Sequence, residues 1–216
     1  MLTASTELTV LQAVAQFAFY VVLAVFAENV VFSRAMGVSR LIKLVNDPEI
    51  HTWQYCTPVI LVQLGSAPLG WLAMTYVSPT LRAALPDWLP IAALRPLIYL
   101  CCAAVAMAAV WLLLGLLPAA WRRPCREQLP IATCTCSVLG TLLLCAGQNY
   151  SLLQSTAFGL GSGLGYLFAV LVVDEGRRRL RSKDVPAIFQ GLPSSLIYVG
   201  ILSLAIYGLV GHAVVL

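Results

Sequence analysis

The residues best suited to chemistry lie in Thr133-Cys-Thr-Cys-Ser-Val-Leu-Gly140, inside an apolar stretch that starts near Leu129. Two thiols at C-x-C spacing, Cys134 and Cys136, can hold a soft metal, and a nearby glycine lets a membrane helix break and turn its backbone inward. The same residues allow a second reading. Cys, Ser, Thr and Gly are small enough to let membrane helices pack closely, which would make the stretch a packing face. A second polar interruption, Glu28-Asn29, separates the apolar run ending at Phe26 from Val30-Val31-Phe32. Glu28 marks either a helix end at the membrane interface or a break within the membrane, where an ionisable group is a candidate for function. His51 falls in a polar loop without a ligand partner at helical spacing, and His212 falls near the end of the last apolar run.

The elements that must position these residues follow from composition. The chain has 216 residues, 60% of them hydrophobic and only 10% charged. A soluble domain carries about a quarter charged residues, so this is an all-α polytopic membrane protein. The net charge of +4 does not point to nucleic acid, because the basic residues cluster between apolar runs, as they do when they orient a chain in a bilayer. Six of the seven cysteines lie mostly within apolar runs and Cys125 in a basic segment; this odd, scattered set is no extracellular disulfide framework. The segment before Thr9 lacks a basic leader region, so the first run is expected to be a retained span.

Six apolar runs follow in order: Leu8–Phe26, Trp53–Val77, Leu97–Leu117, Leu129–Ala146, Leu152–Val173 and Ser194–Leu216. The second carries Pro58, Gly65, Pro68 and Gly70, which membrane helices tolerate when neighbours satisfy the freed backbone groups. The fifth carries Gly159, Gly161, Gly163 and Gly165. These form two overlapping small-xxx-small pairs for close helix approach; a phosphate-binding loop would need a preceding strand. Ser39 to Thr52, the proline-rich Ser78 to Pro96 and the charged segment from Asp174 to Asp184 are expected to be connectors.

Eleven of the thirteen Lys and Arg residues follow runs one, three and five, leaving only Arg82 and Arg95 on the other side. The odd connections are therefore expected to be cytoplasmic and both termini outside. Six spans divide into two halves, 1–118 and 119–216, of one membrane domain. An odd number of spans per half forces opposite orientations, so related halves would be inverted repeats with function at the midplane, where broken helices meet. Runs one and four, the first of each half, carry the polar interruptions, so the first and fourth helices are expected to break near the midplane.

The second half reads Thr135-Cys-Ser-Val-Leu-Gly140, Asn149-Tyr-Ser-Leu-Leu-Gln-Ser155, Phe158-Gly-Leu-Gly161, Arg178-Arg-Leu180, Asp184-Val-Pro186, Phe189-x-Gly191 and Leu202-Ser-Leu-Ala205. In that order these segments resemble the Rnf/Nqr family of small membrane subunits (RnfA/RnfE and NqrD/NqrE), the A-type Rnf members most closely. In the first half, Glu28-Asn-Val-Val-Phe-Ser-Arg-Ala-Met-Gly-Val-Ser39 is similar to the family's Asn-Asn-led segment ending in Leu-Gly-Leu-Cys.

The resemblance implies a non-autonomous subunit of a bacterial inner-membrane translocase of the ferredoxin/NADH/quinone oxidoreductase type. Electrons would be relayed across the membrane, coupled to Na⁺ or H⁺ movement. The implied partners are a homologous sister subunit in the opposite orientation, the other subunits of the complex, and membrane lipid. It also implies a [2Fe–2S] cluster shared with the sister, each subunit giving one cysteine from its first span and one from its fourth. By position, Cys136 is the fourth-span ligand, while the first-span ligand position falls on Ser39. A second alignment, with a deletion, sets Met36-Gly-Val-Ser-Arg40 on a later family segment and also leaves that position without a cysteine. The departure admits a serine oxygen ligand, a Cys134-x-Cys136 two-thiolate donor, or a divergent subunit without the cluster. Glu28 and Thr135 stand where the family has asparagines, and Glu28 is the candidate for an ion path. The remaining alternatives are a cluster-free scaffold and a small inverted-repeat transporter.

Overall fold

The computed structural model describes residues 2–46, 51–77, 79–80, 91–116, 119–180 and 191–210. Arg82, Asp184-Val-Pro186, Phe189 and His212 lie outside the described residues. The helices are α1 (Leu2–Phe26), α2 (Val30–Arg34), α3 (Val38–Asn46), α4 (Thr52–Leu72, prolonged by a π turn over Ala73–Val77) and α5 (Ile91–Leu113). They continue with α6 (Ala119–Thr133), α7 (Cys136–Gly147), α8 (Leu152–Leu180) and α9 (Leu192–Val210). There is no strand among the described residues.

Four helices, α4, α5, α8 and α9, are long and apolar enough to cross a membrane. The pair α6–α7, bent by 55°, makes a fifth candidate, and α1 contributes a shorter apolar helix over Val10–Phe26. Broad apolar surfaces remain on the outside, with Leu112, Leu204 and Leu209 at 68%, 73% and 88% exposure. Such a belt suits hydrocarbon and would be untenable in water. The protein is a multi-pass membrane protein.

Its centre is α8, and the glycine ladder explains how. Gly159 and Gly163 face α4, where an added Cβ would lie 2.6 Å from Ala67 Cβ and 2.8 Å from Ile60 Cα. Gly161 and Gly165 face α1, where a Cβ would lie 2.6 Å from the Val21 carbonyl and 3.0 Å from Asn29 Nδ2. Positions four apart share a helix face and positions two apart diverge, so the two pairs let α8 pack tightly against two helices at once. Pro58 and Pro68 sit inside an unbroken α4, as expected for a helix supported by neighbours.

Two expected connectors are helical. Over Val38–Asn46 the apolar side chains Leu41, Ile42, Leu44 and Val45 are buried, Lys43 is exposed, and the Arg40 guanidinium lies 5.9 Å from the Tyr55 ring centroid at the core's edge. This amphipathic pattern makes α3 a short helix lying on the bundle rather than a loop. At the other end, α8 runs through Asp174 to Leu180. Arg177 and Arg178 bond Asp174 at 3.4 and 3.1 Å, and Arg179 bonds Glu175 at 3.4 Å. These pairs are three or four residues apart, the spacing that supports a helix, and the cations at its C-terminus suit the helix dipole.

Candidate functional site

Both polar interruptions are breaks inside the bundle. At the first, α1 ends at Phe26 and Asn29, 1% exposed, caps α2 by accepting from the Val31 and Phe32 amides at 3.0 and 3.4 Å. Its Nδ2 donates to the Val25 carbonyl at 2.8 Å and to the Gly165 carbonyl on α8 at 3.1 Å. One amide thus ties the end of α1, the start of α2 and the middle of α8 together. The cap is buried against other helices of the bundle, and Glu28 stands next to it, its Oε2 buried without a hydrogen-bond partner. Burial pushes the Tyr150 phenol, in the α7–α8 turn, up to about 12, and the Glu28 carboxylate adds to that.

The second break splits the fourth apolar run, and α6 begins ten residues earlier than that run. Thr133 Oγ1 donates to the Leu129 carbonyl at 2.9 Å, and the Thr135 hydroxyl donates to the Ala132 carbonyl. The Thr135 hydroxyl thus bonds a carbonyl of the last turn of α6, and the Thr133 hydroxyl adds a bond to a carbonyl of the turn before it. Thr135 is extended (φ −74°, ψ 140°) and its side chain makes no cap hydrogen bond to α7. Cys136 is therefore the first residue of a half-helix whose N-terminus favours negative charge.

Ser39, Cys134 and Cys136 line one open cleft of about 760 Å³ between the α2–α3 turn and the α6–α7 break. All three are exposed, and Arg40 and Lys43 line the same cleft. The structure thus brings the thiols at the α6–α7 break and the serine that follows α2 together. Glu28 does not line the cleft. The turn that carries Ser39 is shaped by Ala35 (φ 55°) and Gly37 (φ 84°). A Cβ on Gly37 would lie 3.0 Å from the Tyr166 ring and 3.3 Å from Ser137 Cβ, so glycine is demanded by conformation and by space. Met36 seats its sulfur on Gly140, giving that glycine a packing role against the first break.

Behind Cys136 runs a buried polar string. Gln63 Nε2 on α4, fully buried, donates to Ser137 Oγ at 2.8 Å and reaches Thr141 Oγ1 at 3.4 Å. Thr141 and Ser162 share a 2.7 Å hydrogen bond between α7 and α8. Gln63 Oε1 is buried without a partner. Sequence reading passes over Gln63, although a lone amide in an apolar run was a visible signal.

Among the described residues, no three His, Cys, Asp or Glu side chains are grouped to hold a metal. The cleft supplies two thiols and a hydroxyl, half of the four thiolates that an iron–sulfur cluster takes. That donor set fits a cluster shared with a second chain.

A multi-pass helical bundle with two helix breaks flanking a thiol cleft defines the class. Within it, a family model described as "Rnf-Nqr subunit, membrane protein" matches residues 17–213. The chain belongs to the Rnf-Nqr family. It is 43% identical over 83 residues to the A-type subunit of an ion-translocating oxidoreductase complex from Aromatoleum aromaticum, covering 38% of this chain and 43% of that one. A protein of the same name from Tolumonas auensis is 39% identical over 83 residues, with the same coverage of both chains. Each of these matches thus spans less than half the length of the relative. Over 193 residues, 89% of this chain and 96% of the relative, it is 24% identical to the A-type subunit of a Na⁺-translocating ferredoxin:NAD⁺ oxidoreductase complex from Acetobacterium woodii.

Proposed function

We propose that this chain is a membrane subunit of an Rnf/Nqr-type ion-translocating electron-transport complex, relaying electrons across a bacterial inner membrane coupled to Na⁺ or H⁺ movement. The observation that carries this reading is the cleft lined by Ser39, Cys134 and Cys136 between the α2–α3 turn and the α6–α7 break. Family membership and the names of the relatives support it.

The cleft would hold this chain's share of a [2Fe–2S] cluster, with the remaining thiolates coming from a sister subunit in the opposite orientation. The cluster would supply one-electron transfer. Cys136 is the principal ligand. Because Ser39 presents a hydroxyl where the family has a thiol, Cys134 on the same cleft wall is the second thiolate, and Ser39 faces the site. Arg40 and Lys43 would offset the negative charge of a thiolate-bound cluster. Glu28, beyond the other end of α2, belongs to the ion path, and the buried string from Gln63 to Ser162 lines the interior between the breaks.

The six apolar runs form a single domain of two inverted halves, supported by matched features. Each break is followed by an extended capping residue, Asn29 or Thr135, and each half-helix is followed by a left-handed residue, Ala35 (φ 55°) or Asn149 (φ 52°). The basic segments are cytoplasmic and both termini outside.

The test is co-expression with the neighbouring subunits, followed by iron and sulfide assay and EPR. Cys136→Ala is expected to abolish the cluster signal, Cys134→Ala to lose or shift it, and Ser39→Ala to leave it in place. An unchanged signal in Cys136→Ala would sink the ligand assignment. Ser39 itself favours a second reading, a cluster-free scaffold in the complex. An assembled complex without iron at this pair of membrane subunits would establish that reading instead.

A further inference from the structure

A second concavity lies at the opposite end of α7, about 18 Å from the thiol cleft at 1.5 Å per residue. This pocket of about 270 Å³ is walled by the C-terminal part of α4, the N-terminal part of α5, the end of α7 and the start of α8. Arg95 lines its mouth, Tyr99 and Ser155 lie deeper, and Trp71, Asn149 and Tyr150 complete the polar and aromatic lining. Two features point to an anionic ligand. Arg95 is exposed and makes no ion pair or hydrogen bond among the described residues. Tyr99 is 1% exposed, yet its buried Oη has no hydrogen-bond partner.

The surroundings identify the kind of anion. Trp71 and Tyr150 stand at the end of the bundle away from the basic segments, the level at which membrane aromatics meet headgroups. Arg95 and Tyr99, four residues apart, share the face of α5 that lines the pocket, while Leu97 and Leu100 cover the outer face of the same helix at 57% and 46% exposure. The pocket is sized for a headgroup rather than a whole amphiphile. We propose that it is a binding site for the headgroup of an anionic phospholipid, with Arg95 at the mouth holding the phosphate and Tyr99 Oη donating to a headgroup oxygen. This site does not depend on the redox reading of the thiol cleft.

Native mass spectrometry of the detergent-purified full chain, titrated with phosphatidylglycerol or phosphatidylcholine, tests it. One phosphatidylglycerol is expected to be retained in preference to phosphatidylcholine. Arg95→Gln should weaken retention about fivefold or more, the worth of one cation at a headgroup. Tyr99→Phe should weaken it less, Arg95→Lys should restore most of it, and Lys43→Gln, in the other cleft, should leave it unchanged. Equal retention of both lipids, or undiminished retention by Arg95→Gln, overturns the proposal. Displacement by millimolar inorganic phosphate would make this a free-anion site and also overturn it. So would loss of the lipid when the neighbouring subunits assemble, since Arg95 would then pair with an acidic side chain of a neighbour.

Discussion

Gln63 and Ser137 meet at 2.8 Å, amide to hydroxyl, and so join an unbroken span to the first turn of the half-helix that begins at Cys136. Both residues are fully buried. The position of the thiol cleft is thereby tied to α4, and through Thr141 and Ser162 to α8.

Cutting this link should loosen the half-helix. Gln63→Leu keeps the volume and removes the hydrogen bonds, at an expected cost of about 1 kcal/mol within a membrane bundle. Gln63→Ala adds a cavity and should cost about 2–4 kcal/mol. Denaturant unfolding of the purified protein in mixed micelles measures both, and equal stability of Gln63→Ala and the wild type would refute the role.

The glycine faces of α8 give a sharper contrast. In Gly159→Ala the new methyl meets Ala67 Cβ at 2.6 Å and the Gln63 carbonyl at 2.8 Å, so α4 and α8 must part. Overpacking of that kind costs about 1–3 kcal/mol. Gly200→Ala meets nothing within 4 Å and should leave stability unchanged or raise it by up to about 1 kcal/mol through helix propensity. Thermal melts in the same detergent should show a lowered midpoint for Gly159→Ala and no loss for Gly200→Ala.

Asn29 makes a third testable joint. Asn29→Ala removes a cap, worth about 0.5–2 kcal/mol, and leaves the buried Gly165 carbonyl without this donor. Asn29→Asp keeps the acceptor for the Val31 and Phe32 amides but loses the donation to Gly165. Its stability is therefore expected to remain below wild type. A wild-type melting temperature for Asn29→Asp would show that the α8 contact contributes nothing.

Thiol accessibility reports on both the cleft and its sidedness. Cys134 and Cys136 are exposed in the cleft, whereas Cys56 and Cys145 are buried. In the chain expressed without its partner subunits, a membrane-impermeant maleimide should modify Cys134 and Cys136 in inside-out vesicles and spare them in right-side-out ones. Cys101, exposed on the span α5, should resist the reagent from either side because it faces lipid. Labelling of Cys136 only from the outside would reverse the proposed orientation.

By itself the sequence determined the membrane class, the distribution of charge and the tolerance of prolines within spans. Each is a property of composition or of spacing along one helix. The glycine ladder was legible in the same way, because positions four apart share a face wherever the helix sits. Only the tertiary structure decided which helix each glycine face meets, since α4 and α1 are distant in sequence from α8. It also decided that Asn29 is a buried cap: whether an amide ends a helix at a surface or inside a bundle depends on the Gly165 carbonyl, 136 residues away in the chain. The helix α3 and the charged end of α8 read as connectors because hydropathy looks for long apolar runs, while an amphipathic face and ion pairs suffice once a bundle is there to pack against. The cleft belongs to the same category. Ser39 and Cys136 are far apart in the chain, and they face one opening because the turn at Gly37 fits against Ser137 and Tyr166.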